Sequence, residues 1–242
     1  MAFTVAVVGA SGRLGGVVAR VVEAMPEAEL VAALTSQDAL DVALRAEVVV
    51  DATHPAVSPE IVGAAVEHGR RVLVGTSGWS EDRIAVLRGR VAASPGSGAV
   101  VIPNFSLGSA LATGFATIAA RYFDSAEIIE AHHAGKVDSP SGTAVRTAEL
   151  MAAAGGPFSA PHADQRARGQ QVGGIPIHSL RLDGVVARQE VRFGGTGETL
   201  TISHDTVSSA AYEAGIRAAL LRTAETADEV VVGLDAVLGL SF

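Results

Sequence analysis

The sequence predicts an α/β protein in which a doubly wound parallel sheet is followed by an α+β domain with a mixed or antiparallel sheet. Over the first hundred residues, short β-branched apolar runs alternate with helical patterns, as parallel βαβ units require. Three later segments alternate polar and apolar residues between Gly-rich turns, which is typical of a sheet with one exposed face. A composition with 48% hydrophobic but only 4% aromatic residues suits Val- and Ala-rich elements better than an aromatic-rich β-sandwich.

The N-terminal elements are predicted from these patterns in chain order. Residues 3–10, FTVAVVGA, predict a strand buried on both faces that ends at glycine, and residues 13–25 have apolar side chains at helical spacing. The same order then repeats, with strands predicted at 29–34, 47–53, 70–76 and 98–104 and helices at 57–69 and 80–92. We therefore expect residues 1–105 to form the doubly wound sheet.

A second domain is predicted from residue 106 to residue 210. It begins with a long apolar helix and a strand, and a second helix starts near Pro140, because proline is tolerated in a first helical turn. A Gly-, Pro- and Ala-rich loop follows before the three alternating segments. The predicted ranges are 106–123, 125–133, the loop 154–175, and then 175–182, 186–194 and 198–205. A last helix at 211–227 and an apolar segment at 229–233 are expected to return, so that residues 211–242 complete the first domain.

The charge balance excludes several classes of partner. With 26 acidic and 18 basic residues the net charge is -8, so the chain attracts neither nucleic acid nor an anionic membrane surface. The chain has no cysteine, which excludes a disulfide framework and a thiolate metal site. Its start lacks a basic segment, and no stretch reaches the roughly 18 apolar residues that a membrane span needs. We therefore expect a soluble, cytoplasmic protein without a nucleic-acid or membrane partner.

The segment VVGASGRLGG places Gly9, Gly12 and Gly15, in the spacing G-x-x-G-x-x-G, directly after the first strand and at the start of the first helix. Glycines permit a tight turn there and let the backbone approach a pyrophosphate, whose charge is attracted by the free N–H groups of the helix start. An ordinary Gly-rich turn is the alternative, but the position in the first βα turn favours dinucleotide binding by a Rossmann-like domain. The predicted cofactor-binding loop comprises Gly9, Ala10, Ser11, Gly12, Arg13, Leu14 and Gly15, with Arg13 as a candidate phosphate contact.

The end of the second strand leaves the choice of cofactor open. An acidic residue that binds the adenosine ribose is expected about 20 residues after the glycine loop. The sequence has Thr35 and Ser36 at that place. Their presence removes the repulsion that excludes a 2′-phosphate, but no arginine is supplied to bind one. NADH and NADPH therefore remain alternatives, with Thr35 and Ser36 as predicted contact residues.

Three further loops, DATHP, GTSGW and IPNFS, follow strands of the same predicted sheet. In an open parallel sheet, ligands bind beyond the carboxyl ends of the strands. Each loop alone is compatible with an ordinary turn, but the three together indicate a cofactor crevice. The predicted contacts are Thr53, Gly75, Thr76, Ser77, Pro103, Asn104 and Phe105.

Residues 130–144, EAHHAGKVDSPSGTA, place two histidines, a lysine and a helix start close together in the sequence. His132 and His133 are candidates for proton transfer near neutral pH, and a strand that ends at the following Ala-Gly pair frees both side chains. Lys136 supplies a positive charge. The predicted helix start has free N–H groups and hydroxyls that can hold a carboxylate, at Ser141, Gly142 and Thr143.

Two other interpretations of this segment stay open. A capped strand-to-helix turn needs the same serines, and a metal site needs histidines, although adjacent histidines with only Asp138 nearby lack a convincing ligand spacing. We therefore expect no metal. The combination of an acid/base candidate, a cation and an anion-binding turn favours a nicotinamide enzyme that reduces a small anionic substrate.

The chain resembles the dihydrodipicolinate reductase family of bacterial lysine and diaminopimelate biosynthesis. The resemblance covers nearly the whole chain and includes VGASGRLG, DATHP, GTSGW, IPNFSLG, GIPIHSLRL, RQEVRFG and GETLTISHD. The pattern HH-x-x-K-x-D-x-PSGTA is highly specific to that family. The resemblance implies that NADH or NADPH reduces 4-hydroxy-tetrahydrodipicolinate, a dicarboxylate, to tetrahydrodipicolinate. It also implies a homotetramer joined through the sheets of the second domain.

The resemblance further implies roles for individual residues. His132 would protonate the substrate after hydride transfer, and Lys136 would stabilise the charge that develops. The dicarboxylate would be bound by His133, Ser141, Gly142 and Thr143, and the cofactor by the glycine loop and the strand-end loops described above.

The chain departs from the family pattern at three places. Ala52 replaces the phenylalanine of a DFT motif, Thr35 replaces the acid, and HHAGK lacks a basic residue that some members have. Two rival functions are another two-domain NAD(P)-dependent amino-acid dehydrogenase and a non-catalytic, nucleotide-sensing Rossmann protein. The second rival predicts a degraded catalytic loop, which residues 130–144 do not show.

Overall fold

The computed structural model describes residues 2–159 and 167–240, which divide into two compact units. One unit contains the chain up to Leu107 and the C-terminal part from Tyr212, and the other contains Gly108–Ala211. Each unit has its own sheet and its own apolar core. The predicted cofactor loops lie in the first unit, and residues 130–144 lie in the second.

The first unit is built on a parallel sheet with alternating strands and helices. Its central strands, VVVD and GAVV, are buried along their whole length, as expected when both faces of a sheet are covered. Apolar side chains at helical spacing turn one face of the first helix towards this core. The elements are β1 (Phe3–Val8), α1 (Arg13–Glu23), β2 (Ala28–Leu34), a 3-10 helix (Leu40–Arg45), β3 (Val48–Asp51), α2 (Ser58–Glu67), β4 (Arg71–Val74), α3 (Glu81–Ala93) and β5 (Gly98–Val101).

The second unit packs helices against one face of a five-stranded sheet. Its elements are α4 (Leu107–Ala119), β6 (Ser125–His132), α5 (Gly142–Ala154), β7 (Gln170–Val172), β8 (Ile175–Arg181), β9 (Ala187–Gly195) and β10 (Glu198–Thr206), in the sheet order β10-β9-β6-β8-β7. Ile128, Ile177 and Phe193 of the sheet share a core with Met151 of α5. Because side chains alternate along a strand, Glu130 and His132 lie on the same face of β6 as Ile128.

The C-terminal segment returns to the first unit. After a 3-10 helix (Ser209–Tyr212) come α6 (Glu213–Glu225), β11 (Val230–Val232) and α7 (Leu234–Val237), and β11 pairs in parallel with β5. The completed sheet has the order β11-β5-β4-β3-β1-β2. The strand order reverses at β1, which lies between β2 and β3, and ligands bind at such a switch point in open α/β sheets.

The predicted fold class is confirmed: a doubly wound parallel sheet is combined with a second, mixed sheet. The second sheet is not purely antiparallel, because β6 and β8 run parallel. The strand β7 lies inside the predicted loop 154–175, of which residues 160–166 lie outside the described residues. The helix predicted near Pro140 begins at Gly142, after Ser141. Over residues 2–159 and 167–240, no helix is long and apolar enough to cross a membrane.

Candidate active site

The glycine loop between β1 and α1 is shaped for close approach of the backbone to a ligand. Gly9 has a φ of 88°, in the left-handed region, and a Cβ there would lie 2.4 Å from the carbonyl oxygen of Ala52. A Cβ on Gly15 would lie 2.1 Å from the carbonyl oxygen of Gly9, so only glycine lets α1 pack this closely. Gly12 N-caps α1 without a side-chain hydrogen bond. The first N–H groups of α1 are therefore suited to hold a phosphate.

A cavity of about 570 Å³ opens beside this loop at the carboxyl ends of β1, β2 and β3. Pockets for small ligands and cofactors span about 300–1,000 Å³. The lining also includes His54 and two carboxylates that the sequence did not single out, Asp38 and Glu60. Ala52 borders the same cavity. Six of the predicted cofactor residues are brought together here: Gly9, Ser11, Gly12, Thr35, Ser36 and Thr53.

Asp38 shapes the loop that follows β2. Its Oδ2 accepts hydrogen bonds from the backbone N–H and the hydroxyl of Thr35, each at 2.8 Å. The backbone hydrogen bond from Thr35, and then the hydroxyl bond, lower the pKa of the Asp38 carboxyl, so the side chain stays ionised. A carboxylate three residues after Thr35 therefore lies in the same cavity. In the segment TSQD (35–38), the acceptor Asp38 follows the donor Thr35 by three residues, a spacing typical of local hydrogen bonds between a side chain and the backbone.

Hydrogen bonds join the loops after β3 and β4 at the same edge of the sheet. The hydroxyl of Thr76 accepts from the N–H of Thr53 at 2.9 Å and donates to the carbonyl oxygen of Asp51 at 3.4 Å. A Cβ on Gly75 would lie 2.8 Å from Leu14 and 3.0 Å from the ring of Phe105. This part of the edge therefore brings together the predicted residues Leu14, Thr53, Gly75, Thr76 and Phe105.

A buried carboxylate beneath this edge holds the two loops. Asp51 is fully buried and accepts hydrogen bonds from the hydroxyls of Thr53 and Ser58. The indole N–H of Trp79 donates to Ser58 Oγ at 2.9 Å, so the segment GTSGW is tied to the segment DATHP. Small hydroxyl side chains at these positions thus give the loop edge a defined geometry.

The remaining predicted cofactor residues lie next to these clusters in the chain. The N–H of Ala10 donates to the carbonyl oxygen of Leu34 at 2.9 Å, and Asn104 Oδ1 accepts from the N–H of Ser106 at 2.9 Å. Exposed side chains at the same edge belong to Arg13, Ser77 and Pro103. Contacts of these residues with a cofactor stay predictions.

In the second unit, residues 130–144 connect β6 to α5. β6 ends at His132, and the N–H of Lys136 donates to the carbonyl oxygen of His133 at 3.0 Å in the turn that follows. Lys136 is the only lysine among the chain's 18 lysine and arginine residues. Its Nζ lies 2.7 Å from Oδ1 of Asp138. Burial raises the pKa of the Asp138 carboxyl, but the hydrogen bond and charge of Lys136 outweigh burial and lower it.

Ser141 begins α5 as its N-cap. Its hydroxyl accepts from the N–H of Ala144 at 3.3 Å, and the residue is only 2% exposed. Gly142 is exposed, with open space around its Cβ position, and Thr143 is half-buried in the first turn. An anion at this helix start would therefore meet the backbone N–H groups of the first turn rather than the hydroxyl of Ser141.

Glu130 is hydrogen-bonded to several parts of this segment, although no role was predicted for it from the sequence. It is fully buried on β6, two residues before His132. Nδ1 of His132 lies 2.6 Å from Glu130 Oε2. Arg181 of β8 donates to both carboxylate oxygens, at 3.0 and 2.9 Å, and the N–H of Ser141 donates to Oε1 at 3.2 Å. One carboxylate thus connects β6, β8 and the start of α5.

The Glu130 carboxyl is ionised despite its burial. Burial by itself raises its pKa, but hydrogen bonds from His132 and Arg181 more than compensate and hold the pKa at about 2. Arg181 also donates to the carbonyl oxygen of Asp138 at 2.6 Å, so the same guanidinium positions the loop beside Lys136. The spacing of an acid two residues before a histidine on a strand could have indicated Glu130, because such residues share a face.

The residues of the two units indicate whether they could bind a dinucleotide or a metal ion. The first unit fits a dinucleotide, because its glycine positions exclude a Cβ next to a cavity of suitable size at the strand ends. Within the part of the chain that the structure describes, no group of three or more His, Asp or Glu side chains could hold a metal ion.

Two family models match the chain in succession. The model described as dihydrodipicolinate reductase, N-terminus, matches residues 3–105, and the model described as dihydrodipicolinate reductase, C-terminus, matches residues 108–238. A 4-hydroxy-tetrahydrodipicolinate reductase from Clavibacter michiganensis subsp. michiganensis is 60% identical over 243 residues, which cover 99% of this chain and 87% of the relative. One from Streptomyces griseus subsp. griseus is 44% identical over 98% of both chains.

Solved structures agree with these matches. A dipicolinate-bound dihydrodipicolinate reductase from Paenisporosarcina sp. TG-14 superposes with a TM-score of 0.80 at 29% identity, over 97% of this chain and 99% of that one. GenD2 from gentamicin A biosynthesis, in complex with NAD, has a TM-score of 0.62 at 17% identity over 98% of this chain and 87% of its own, which shows a shared fold alone. Because both family models and the relatives match over nearly its full length, the chain belongs to the dihydrodipicolinate reductase family.

Proposed function

We propose that this protein reduces 4-hydroxy-tetrahydrodipicolinate to tetrahydrodipicolinate with NADH or NADPH, in the diaminopimelate route to lysine. The observation that supports this most directly is the loop 130–144, where a half-buried histidine paired with Glu130 shares one short segment with the chain's single lysine and an exposed helix start. The similar reductase from Paenisporosarcina binds dipicolinate, a planar dicarboxylate. A dicarboxylate is also the ligand class that a lysine and a helix N-terminus can bind together.

The reaction takes up one hydride and one proton and releases water, and we assign the proton to His132. Its Nδ1 faces Glu130, so Nε2 is the ring atom left to give a proton to the substrate. Lys136 stabilises the negative charge that develops before protonation. His133 and the first turn of α5 bind the carboxylates, with Gly142 and Thr143 supplying backbone N–H groups and Ser141 holding the turn through its cap.

We assign cofactor binding to the first unit. The backbone from Gly9 to Gly15 holds the pyrophosphate, the cavity lined by Thr35 and Asp38 receives the adenosine half, and the edge at Thr53, Gly75 and Thr76 receives the nicotinamide. The bound nicotinamide supplies the hydride. The protein must hold the accepting atom of the substrate close to the nicotinamide, because hydride transfer needs the reacting atoms about 3–3.5 Å apart.

A coupled assay tests the proposed reaction. Dihydrodipicolinate synthase generates the unstable substrate in the cuvette, and the loss of reduced nicotinamide absorbance is followed with NADH and with NADPH. Oxidation that depends on the synthase supports the reductase function. No oxidation with either cofactor, in a protein that is folded and binds the cofactor, would refute it.

We also propose that this chain prefers NADH over NADPH. Among the described residues that line the adenosine cavity there are two carboxylates, Asp38 and Glu60, and neither lysine nor arginine. Asp38 is ionised and held by Thr35, so a 2′-phosphate would meet a fixed negative charge, whereas a ribose hydroxyl can donate to it. We expect a higher kcat/KM with NADH.

Asp38→Asn is expected to raise kcat/KM for NADPH several-fold, up to about tenfold, relative to NADH, because one like charge near the phosphate is removed. Asparagine keeps an oxygen that accepts from Thr35, so the loop is retained. Steady-state kinetics with both cofactors measure the ratio. Asp41→Asn, an exposed acid in the adjacent 3-10 helix, is the matched control and should leave the ratio unchanged. An unchanged ratio in Asp38→Asn would rule out Asp38 as the discriminating group.

A homotetramer formed through the second unit is part of the proposal. The face of this sheet that is opposite the helix-covered core presents Thr201, Ser203 and a charged row of Arg188, Glu190 and Arg192. The hydrogen bond from Arg192 lowers the pKa of Glu190, burial opposes this, and the hydrogen bond from Arg188 lowers the pKa further, so Glu190 stays a carboxylate and the row is suited to polar pairing with a second copy. Light scattering is expected to give four times the 24.5 kDa of one chain. A monomer at micromolar concentration would contradict this assignment.

A cytoplasmic location completes the proposal. The reaction needs a pool of reduced nicotinamide cofactor, which supports an address inside the cell. Fractionation of cells that produce the native protein, with the coupled assay as the readout, tests this location.

A further inference from the structure

We infer that Glu130 is the positioning residue of the proton donor: its carboxylate accepts the Nδ1–H of His132, so that Nε2 is the atom that gives and regains the catalytic proton. This inference rests on the proposed function, because it deepens the role assigned to His132. Glu130 then has a role in proton transfer in addition to stabilising the fold.

Burial and several hydrogen-bond donors restrict the position of the Glu130 carboxylate. The side chain is 0% exposed, so protein donors must satisfy it. Arg181 binds both oxygens from the neighbouring strand β8, which defines the plane of the carboxylate, and the N–H of Ser141 approaches from the start of α5. A further donor is Nδ1 of His132, at 2.6 Å on the same face of β6. The carboxylate is therefore rigid, and it restrains the imidazole in turn.

The chemistry then follows from the acceptor-only character of an ionised carboxylate. A neutral imidazole has one N–H, and next to Glu130 that hydrogen must reside on Nδ1. In the protonated ring, the Nδ1–H stays with Glu130 and the Nε2–H is free to pass to the substrate carbon. The ring left behind is already the tautomer that Glu130 favours. Nε2 then takes one proton from water, which restores the donor and balances the proton delivered.

The same sheet contains a second glutamate–histidine pair that serves as an internal comparison. Glu127 lies on the opposite face of β6, and its Oε2 is 2.8 Å from Nε2 of His178. The side chains of this pair are 37% and 27% exposed, whereas those of Glu130 and His132 are 0% and 17% exposed. Of the two pairs, the one at Glu130 is hydrogen-bonded to the start of α5 through the N–H of Ser141, and it lies in the segment that contains Lys136. Glu127→Gln is therefore a matched control for Glu130→Gln.

Magnetic resonance of isotopically labelled histidine tests the inference without any need for activity. The resonances of His132 are assigned by their loss in His132→Gln. In the wild-type protein the neutral ring is expected to have its hydrogen on Nδ1, and in Glu130→Gln the Nε2–H tautomer should gain population. The Glu127→Gln protein should match the wild type at His132. A wild-type His132 that is neutral with hydrogen on Nε2 would overturn the inference, whether or not the protein proves to be a reductase.

Kinetics provide the second readout. Glu130→Gln is expected to lower kcat by roughly 10- to 100-fold with a substrate KM within about twofold of wild type, since such orienting partners typically contribute that much. Glu130→Asp keeps the charge and should lose less. If the glutamine variant fails to fold by circular dichroism, the aspartate variant and the wild-type tautomer decide. A Glu130→Gln protein with a changed tautomer but wild-type kcat would overturn the positioning role.

Discussion

Replacing His132 or Lys136 with alanine is expected to lower kcat by roughly 10²-fold or more, while the affinity for NADH or NADPH stays close to wild type. The first change removes the proposed proton donor, and the second removes the cation that stabilises developing charge. Both residues lie in the second unit, whereas the glycine loop and the adenosine cavity lie in the first. The coupled assay measures kcat, and a fluorescence titration without substrate measures cofactor affinity.

Two further variants sharpen this test. Lys136→Arg keeps the positive charge but replaces a compact ammonium by a planar guanidinium, and it should retain less than about a tenth of kcat, because the two groups differ in shape and hydration. Arg146→Ala removes an exposed cation of α5 that lies 4.0 Å from Glu149, and it should behave as wild type. Turnover near wild type in both alanine variants would contradict the roles assigned to His132 and Lys136.

Gly15→Ala is expected to weaken cofactor binding by roughly 10- to 100-fold. The new Cβ would lie 2.1 Å from the carbonyl oxygen of Gly9 and 2.9 Å from Cα of Ala10, so the glycine loop must move. Overpacking of this kind costs about 1–3 kcal/mol, and each 1.4 kcal/mol is about tenfold in affinity. Fluorescence titration with NADH gives the dissociation constant, and thermal unfolding shows how much of the effect is on stability.

The neighbouring glycine provides the control. A Cβ on Gly16 would find its nearest atom, the carbonyl oxygen of Ala10, at 3.7 Å, which is an ordinary contact. Because alanine is a better helix former, Gly16→Ala should stabilise α1 by about 0.5–1 kcal/mol and leave cofactor affinity unchanged. Equal losses of affinity in the two variants would show that crowding at Gly15 is not the cause.

The first unit was more predictable than the second, because its signals are local. Strands such as VVVD and GAVV are continuous apolar runs, and the helices between them have their own periodicity. In the second unit, β7 is three residues long and has the sequence QQV, which has no apolar alternation to detect. The parallel pairing of β6 with β8 depends on the crossover through α5, and a pattern taken one strand at a time does not contain it.

The candidate site shows the same division between local and distant signals. The histidines, Lys136 and the helix start were found because they are close in sequence. Glu130 could have been predicted as a partner of His132 from their spacing on a strand. Arg181 could not, because it lies 51 positions away in the chain and contacts Glu130 only through the register of β6 with β8. The hydroxyl of Ser141 accepts from the N–H of Ala144 as the N-cap of α5, and its predicted contact with the substrate stays a prediction.

The single lysine gives this loop an unusual experimental advantage. Growth on isotope-labelled lysine would place one reporter nucleus in the side chains of the whole protein, on the ammonium that lies 2.7 Å from Asp138. A dicarboxylate that draws the ammonium away from Asp138 would shift that one resonance, with no assignment to make and no residue changed. The affinity for the ligand, its exchange rate and the pH dependence of the loop can all be measured from this one lysine resonance.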